Sequence, residues 1–195
     1  MNAHITGRGM VVPVIEGKRI VLRTLEKSDA RSIQENLNDK EVSRYTRIIP
    51  YPYTLRHARD FIKIAQHFGS REEDYAFGIE IKETRKIIGV ISLARIDYQN
   101  RNAEVGYWLG KKYWGRGIAK EALLGILNFG FDNLKLFRIY ASVMHPNTAS
   151  VKLLEKAGFE FEGRMRKSVL KDGKWLDELR YSILEEEYRR LVQPV

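Results

Sequence analysis

The stretch 106–122, Gly-Tyr-Trp-Leu-Gly-Lys-Lys-Tyr-Trp-Gly-Arg-Gly-Ile-Ala-Lys-Glu-Ala, holds the residue types best suited to grip an anion. An apolar, aromatic run leads into a basic loop bearing Gly110, Gly115 and Gly117, and the loop opens directly onto a helical pattern. Glycine lets a backbone turn tightly and come close to a ligand. The first turn of a helix offers unpaired N–H groups and the positive end of its dipole. Together these make a site for a phosphate or pyrophosphate. Arg116 and Lys120 add formal positive charge at the same place.

Spacing separates the kinds of phosphate loop. A nucleoside-triphosphatase loop needs G-x-x-x-x-G-K-[ST], with its hydroxyl on magnesium. Gly110 and Gly115 have that spacing, but Arg116 and Gly117 follow, so no magnesium ligand remains. A dinucleotide loop needs G-x-G-x-x-G. Gly115 and Gly117 fit, yet the third position is Lys120, whose bulk opposes close helix–strand packing.

Three blocks in order carry a resemblance instead. They are Asn102-Ala103-Glu104-Val105-Gly106-Tyr107-Trp108-Leu109, then Trp114-Gly115-Arg116-Gly117-Ile118-Ala119-Lys120-Glu121-Ala122, then His145-Pro146-Asn147-Thr148-Ala149-Ser150 running to Lys156-Ala157-Gly158-Phe159-Glu160. The sequence resembles the RimJ/RimL-type branch of the GNAT N-acetyltransferases over about residues 18–184. The branch loop W-G-K/R-G-x-A-x-E-A matches at every defined position. The wider family loop R/Q-x-x-G-x-G/A departs only where Lys112 stands for Arg or Gln. The resemblance implies acetyl-CoA as co-substrate, with its pyrophosphate against Trp114, Gly115, Arg116, Gly117, Ile118, Ala119 and Lys120. It implies the pantetheine arm beside the backbone of Trp108, Leu109 and Gly110 and the side chain of Asn147, and Ser150 near the sulfur. Asn147 also reads as a plain helix N-cap, and Ser150 as an ordinary early-helix serine.

Acetyl transfer needs a neutral amine and a tolerable leaving group. A thiol with pKa near ~8.5 leaves acceptably as thiolate, so an acid catalyst helps without being essential. Strand alternation puts Glu104 and Gly106 on one face, Val105 and Tyr107 on the other. A carboxylate in so apolar a strand faces solvent, a structural partner or a cleft. The last alternative makes Glu104 the candidate base, the role the resemblance also implies. Tyr107 and Trp108 read as core side chains. The acceptor is expected between the 45–54 segment and the 165–177 hairpin, where Tyr45, Tyr51, Tyr53 and Trp175 either line a pocket or serve as packing aromatics.

Composition narrows the field. The chain has 195 residues and 44% hydrophobic content, enough for one domain with a real core. Residues 1–17 read as an N-terminal arm or added strand, and 18–195 as a single domain. No apolar run approaches the ~20 residues that span a bilayer, so no membrane partner is expected and a cytoplasmic location is the default. There is no cysteine, which excludes disulfides and a thiol acyl carrier. The four histidines show no metal-ligand spacing, so no metal is expected. The net charge of +9 favours anionic partners. Coenzyme A is one, and a ribosome is another. No aromatic-rich RNA-binding strand accompanies the charge, so direct nucleic-acid binding is not expected. The alternative to an enzyme is a non-catalytic acyl-CoA-binding module or a basic ribosome- or RNA-associated protein. A monomer and a homodimer remain equally open.

The elements must position these residues. Residues 18–23 read as a strand, and Ser28 as the N-cap of a helix to about Asn36. A short turn follows near 39–45, and Thr54 caps an amphipathic helix through Phe68. Strands are expected at 75–81, 86–96, 103–109 and 136–144, with helices at 118–132 and 148–157, the latter stopped by Gly158. Asp172-Gly173 marks a hairpin between strands 159–169 and 175–184, and a last helical turn covers 185–191. The order describes a mixed α/β domain around one sheet. By resemblance it is the GNAT acyl-CoA N-acyltransferase fold, with a mostly antiparallel sheet, flanking helices and two middle strands that splay apart.

Overall fold

The computed structural model describes residues 4–5, 11–71 and 73–192. Part of the expected arm, residues 1–3 and 6–10, lies outside them. Strands β1 (His4–Ile5) and β2 (Val11–Val12) pair with each other, and β3 (Ile15–Glu16) runs antiparallel to β4 (Ile20–Thr24) as the outermost strand of the main sheet. The chain then forms α1 (Ala30–Leu37), α2 (Lys40–Ser43), α3 (Leu55–Ser70), β5 (Tyr75–Ile81), β6 (Lys86–Asp97) and β7 (Asn102–Leu109). After the glycine loop come α4 (Ile118–Asn128), β8 (Arg138–Met144), α5 (Thr148–Lys156), β9 (Glu160–Lys171), β10 (Lys174–Leu184) and α6 (Glu185–Val192).

Eight strands form one sheet in the order β3-β4-β5-β6-β7-β8-β10-β9. Every pair is antiparallel except β7 with β8. The sheet is covered on both faces, which explains why β6 reads as a nearly continuous apolar run, Ile87 to Leu93. On one face Phe77, Ile91, Val105 and Ile139 pack against Leu123, Ile126 and Leu127 of α4. On the other, Ile87, Val90 and Trp108 meet Ile33 and Leu37 of α1 and Ala58 and Ile62 of α3.

Two expectations about helix ends need correcting. Ser28 does not cap α1; it sits inside a 3₁₀ turn, Lys27–Asp29, that precedes the helix. Asp29 makes that turn. Its carboxylate takes two bonds from the Arg23 guanidinium, at 2.8 and 2.9 Å, and one from the Glu26 N–H at 2.7 Å. At the far end of α4 the helix stops at Asn128 and widens into a π turn, Phe129–Asn133, instead of running to 132. That turn sinks Phe129 and Phe131 fully into the core. Thr54 caps α3 as expected, accepting the His57 N–H at 3.2 Å.

One irregularity of the sheet matters most. β7 and β8 pair only at Asn102–Arg138, Ala103–Ile139 and Glu104–Tyr140. Beyond Glu104, β7 stays with β6 through Leu109, while β8 stays with β10 through Met144. Each strand keeps its other neighbour and releases this one, so the middle of the sheet opens into a V.

Candidate active site

The V gives onto the glycine loop. Gly115 and Gly117 both have positive φ, +72° and +74°, the left-handed backbone that a side chain strains. A Cβ on Gly115 would meet nothing within 4 Å, so its glycine serves backbone shape and access, not packing. Gly117 is the N-cap of α4 and supplies no side-chain cap, so the N–H groups of the first turn stay open toward the loop. The turn is braced from outside. Arg19 donates from its backbone N–H and its Nε to Glu121, at 2.7 and 2.9 Å, and from a terminal nitrogen to the Arg116 carbonyl at 2.7 Å. Burial opposes the charge on Glu121, but the Arg19 bonds outweigh it and lower its pKa. The Trp114 indole N–H donates to the Leu109 carbonyl at 2.7 Å and ties the loop to the end of β7.

A groove of about 520 Å³ runs from this turn to the V. Trp108, Leu109, Trp114, Gly115, Gly117, Ile118, Ala119, Lys120, Asn147 and Ser150 all line it. Two residues expected there do not. Gly110 is held against α1, where a Cβ would lie 2.3 Å from the Asn36 side-chain oxygen; its glycine is a packing requirement. Arg116 faces solvent and contributes its carbonyl to the brace. The Trp108 side chain belongs to the core beside α1 and α3. Lys152 and Lys156, one helical turn apart on α5, also border the groove.

At its inner end the groove meets a small cavity of about 90 Å³ inside the V. Asn147 caps α5 by accepting the Ser150 N–H at 3.2 Å, and so turns the Ser150 hydroxyl toward the opening. That hydroxyl lies 2.6 Å from the Tyr107 phenol oxygen. Burial pushes the Tyr107 pKa up to about 12, despite the lowering effect of the Ser150 bond. Tyr107 packs against the core as expected, and its phenol also borders the opening.

Glu104 stands where β7 and β8 part, yet it lines neither space. Its carboxylate is 2.9 Å from Arg95 and 3.9 Å from Arg47. Arg95 reaches it because an irregularity in β6, with Arg95 at φ +54°, re-aims that side chain. Arg47 bonds more closely to Glu178, which is 4% exposed, accepts a bond from Ser168 at 3.0 Å and does line the cavity. Glu178 was missed in the sequence because charged neighbours surround it on β10.

Of the four aromatics expected at the acceptor, only Tyr45 borders both spaces. Tyr53 is 5% exposed in the core beside α3, with its ring against His57; burial lifts its pKa to about 12. Tyr51 and Trp175 are more than half exposed and line neither space. Trp175 pairs with Leu170 across the β9–β10 hairpin. No group of metal-ligating side chains occurs among the described residues.

Residues 19–160 match the model of the acetyltransferase (GNAT) domain family. The chain belongs to the GNAT acetyltransferases. It is 36% identical to the uncharacterized N-acetyltransferase p20 of Bacillus licheniformis, over 88% of this chain and 96% of that one. Its fold overlays Mycobacterium smegmatis RimJ in complex with CoA-disulfide at TM-score 0.81 and 25% identity, covering 92% and 93% of the two chains. It also overlays spermidine N-acetyltransferase from Vibrio cholerae in complex with CoA and spermine at TM-score 0.75 and 26% identity, covering 87% and 98%. This GNAT protein is thus an acetyl-CoA-dependent N-acetyltransferase.

Proposed function

We propose that this GNAT enzyme acetylates a primary amine, either a protein N-terminal α-amine or a small-molecule amine, by direct transfer within a ternary complex. The observation that carries the reading is the parting of β7 and β8 after Glu104, directly beside an uncapped helix N-terminus. In this reading the pyrophosphate of acetyl-CoA takes the first-turn N–H groups of α4. The pantetheine lies along the edge of β7 that β8 has released, as an added strand would. The acetyl group then reaches the cavity beside Ser150. The amine attacks the carbonyl, the C–S bond breaks with its electron pair going to sulfur, and the amine proton leaves through a base. The absence of cysteine favours direct transfer over an acyl-enzyme.

Glu104 is assigned as that base, acting through water, since a guanidinium-lined carboxylate at the mouth of the V is near the reacting centre without filling it. An α-amine with pKa near ~8 costs about 1 kcal/mol to deprotonate at pH ~7, and a lysine-like amine near ~10.4 costs roughly 4–5. A carboxylate meets the first demand readily. Tyr45 is the acceptor-side aromatic. The name of one relative, a spermidine N-acetyltransferase, supports the small-molecule class, and the low cost of deprotonating an α-amine supports the other. We place the activity in the cytoplasm, where acetyl-CoA is available.

Two measurements test the reading. Gly117→Val forces a β-branched residue into a left-handed cap, so calorimetry should find acetyl-CoA binding lost. Unchanged affinity would remove the loop from the site. Thiol release from acetyl-CoA, followed against a panel of peptides and polyamines, should then identify the acceptor; release with none of them would favour a binding module.

A further inference from the structure

The half-buried pair Tyr107 and Ser150 asks for an explanation that packing does not give. A tyrosine confined to the core needs only its ring there. Here the phenol reaches from β7 across the opening to a hydroxyl on α5, and both residues border the cavity within the V. The two lie 43 positions apart in the chain and meet only because the sheet opens at that level. Polar groups taken largely out of water are normally hydrogen-bonded, and each of these satisfies the other.

We propose that Tyr107 is a positioning residue for thiolate departure: its phenol donates to the Ser150 oxygen and so leaves the Ser150 O–H to donate to the sulfur of coenzyme A. The inference rests on the groove assignment made above and adds Tyr107 to it. The direction of the pair follows from acidity. A phenol is a better donor than an alkyl hydroxyl, and a serine oxygen that accepts one bond becomes the more strongly polarised donor of the next. Asn147 completes the arrangement by fixing the Ser150 backbone, so the hydroxyl has little freedom to turn elsewhere.

No proton need leave Tyr107. As the C–S bond breaks, negative charge collects on sulfur, and the Ser150 O–H stabilises it by a charge-assisted bond. The amine proton goes to the base and then to solvent, so the two hydroxyls end the cycle as they began it. With its pKa near 12, the phenol stays protonated and able to donate over the whole working range of pH. The pair is therefore a fixed dipole aimed at developing charge, the kind of preorganised donor that contributes most in a water-poor site.

The chain makes a direct test possible because it has no cysteine: the ultraviolet thiolate signal of added coenzyme A comes from the ligand alone. Coenzyme A bound to the full-length protein should titrate below the ~8.5 of a free thiol. Tyr107→Phe, which keeps the ring, should move the bound thiol back toward the free value and lower kcat about tenfold, with the KM for acetyl-CoA little changed. Ser150→Ala should do the same. The double variant should be no slower than Ser150→Ala, since one residue acts through the other. An unchanged thiol titration in Tyr107→Phe that still binds coenzyme A would overturn the proposal, and so would additive losses in the double variant. Failure of the wild-type protein to bind coenzyme A would overturn the groove assignment and the proposal with it. If Tyr107→Phe does not fold, Ser150→Ala decides through the thiol titration: an unshifted value in that variant overturns the proposal too.

Discussion

At the scale of single residues, the two carboxylates near the opening pose the sharpest question. Glu104 has both oxygens facing guanidiniums, whereas Glu178 is more deeply buried and lines the cavity. Arg47 bridges them. If Glu104 accepts the amine proton through water, Glu104→Gln should lower kcat/KM by about 10- to 100-fold near pH ~6.5, where most acceptor is protonated. The loss should shrink toward pH ~9, as free amine becomes abundant. A pH–rate profile of Glu104→Gln matching the wild type would dismiss it, and the same signature in Glu178→Gln would transfer the role. The sequence made Glu104 visible because a lone acid in an apolar strand stands out. It hid Glu178, which sits in Asp-Glu-Leu-Arg on a strand rich in charge. It hid Tyr107 too, since nothing local announces that a core-facing tyrosine will find a hydroxyl on a helix formed 40 residues later. Tyr53 failed in the opposite sense. An aromatic beside a helix cap looks available, but α3 folds down on α1 and buries it.

At the scale of elements, the loop and α4 were legible because local chemistry fixes them. Two glycines with positive φ followed by an amphipathic run define a turn into a helix whatever surrounds it. The brace was not legible, since Arg19 comes from the strand end nearly 100 residues earlier. That brace has a pH signature. Burial disfavours the Glu121 carboxylate, Arg19 favours it, and the net effect is a pKa below the ordinary carboxylate value. A group whose pKa is depressed on folding stabilises the protein above its unfolded pKa and ceases to do so as pH falls through the folded one. Wild type should therefore melt higher than Glu121→Gln near neutral pH, and the gap should close as the pH drops below the ordinary glutamate range near ~4.3. Thermal melts of both proteins across pH ~3–7 check this; a gap that widened in acid would contradict the brace. The same variant should raise the KM for acetyl-CoA, because the loop loses its outer support.

At the scale of the whole molecule, the fold class was readable from the order of elements, whereas the opening was expected from the family resemblance alone. Pattern marks β6, β7 and α4 one after another, but no residue in β7 or β8 declares by itself that their pairing ends at Glu104. Past Glu104, β8 stays with β10 and β7 with β6, and the two edges that face each other are left without a strand partner. Charge is the other property of the whole. The excess of +9 includes Lys120, Lys152 and Lys156 on the groove, none within ion-pair distance of a carboxylate among the described residues. These cations face the path along which a ligand with several phosphate charges arrives, so attraction should speed its capture. At ~0.15 M salt the screening length is about 8 Å, and raising ionic strength shortens it. The KM for acetyl-CoA should therefore climb as salt goes from ~0.05 to ~0.5 M, while kcat stays level, because the chemistry lies inside the V. Lys152→Gln with Lys156→Gln should flatten that slope. Saturating coenzyme A should also raise the melting temperature: ligand at about 100 times its dissociation constant contributes ~2.7 kcal/mol, and a domain of this size gains roughly 2–4 °C per kcal/mol. A salt-independent KM in the wild type would mean that the basic surface serves something other than this ligand, since a polyanion cannot approach three unpaired lysines without feeling them.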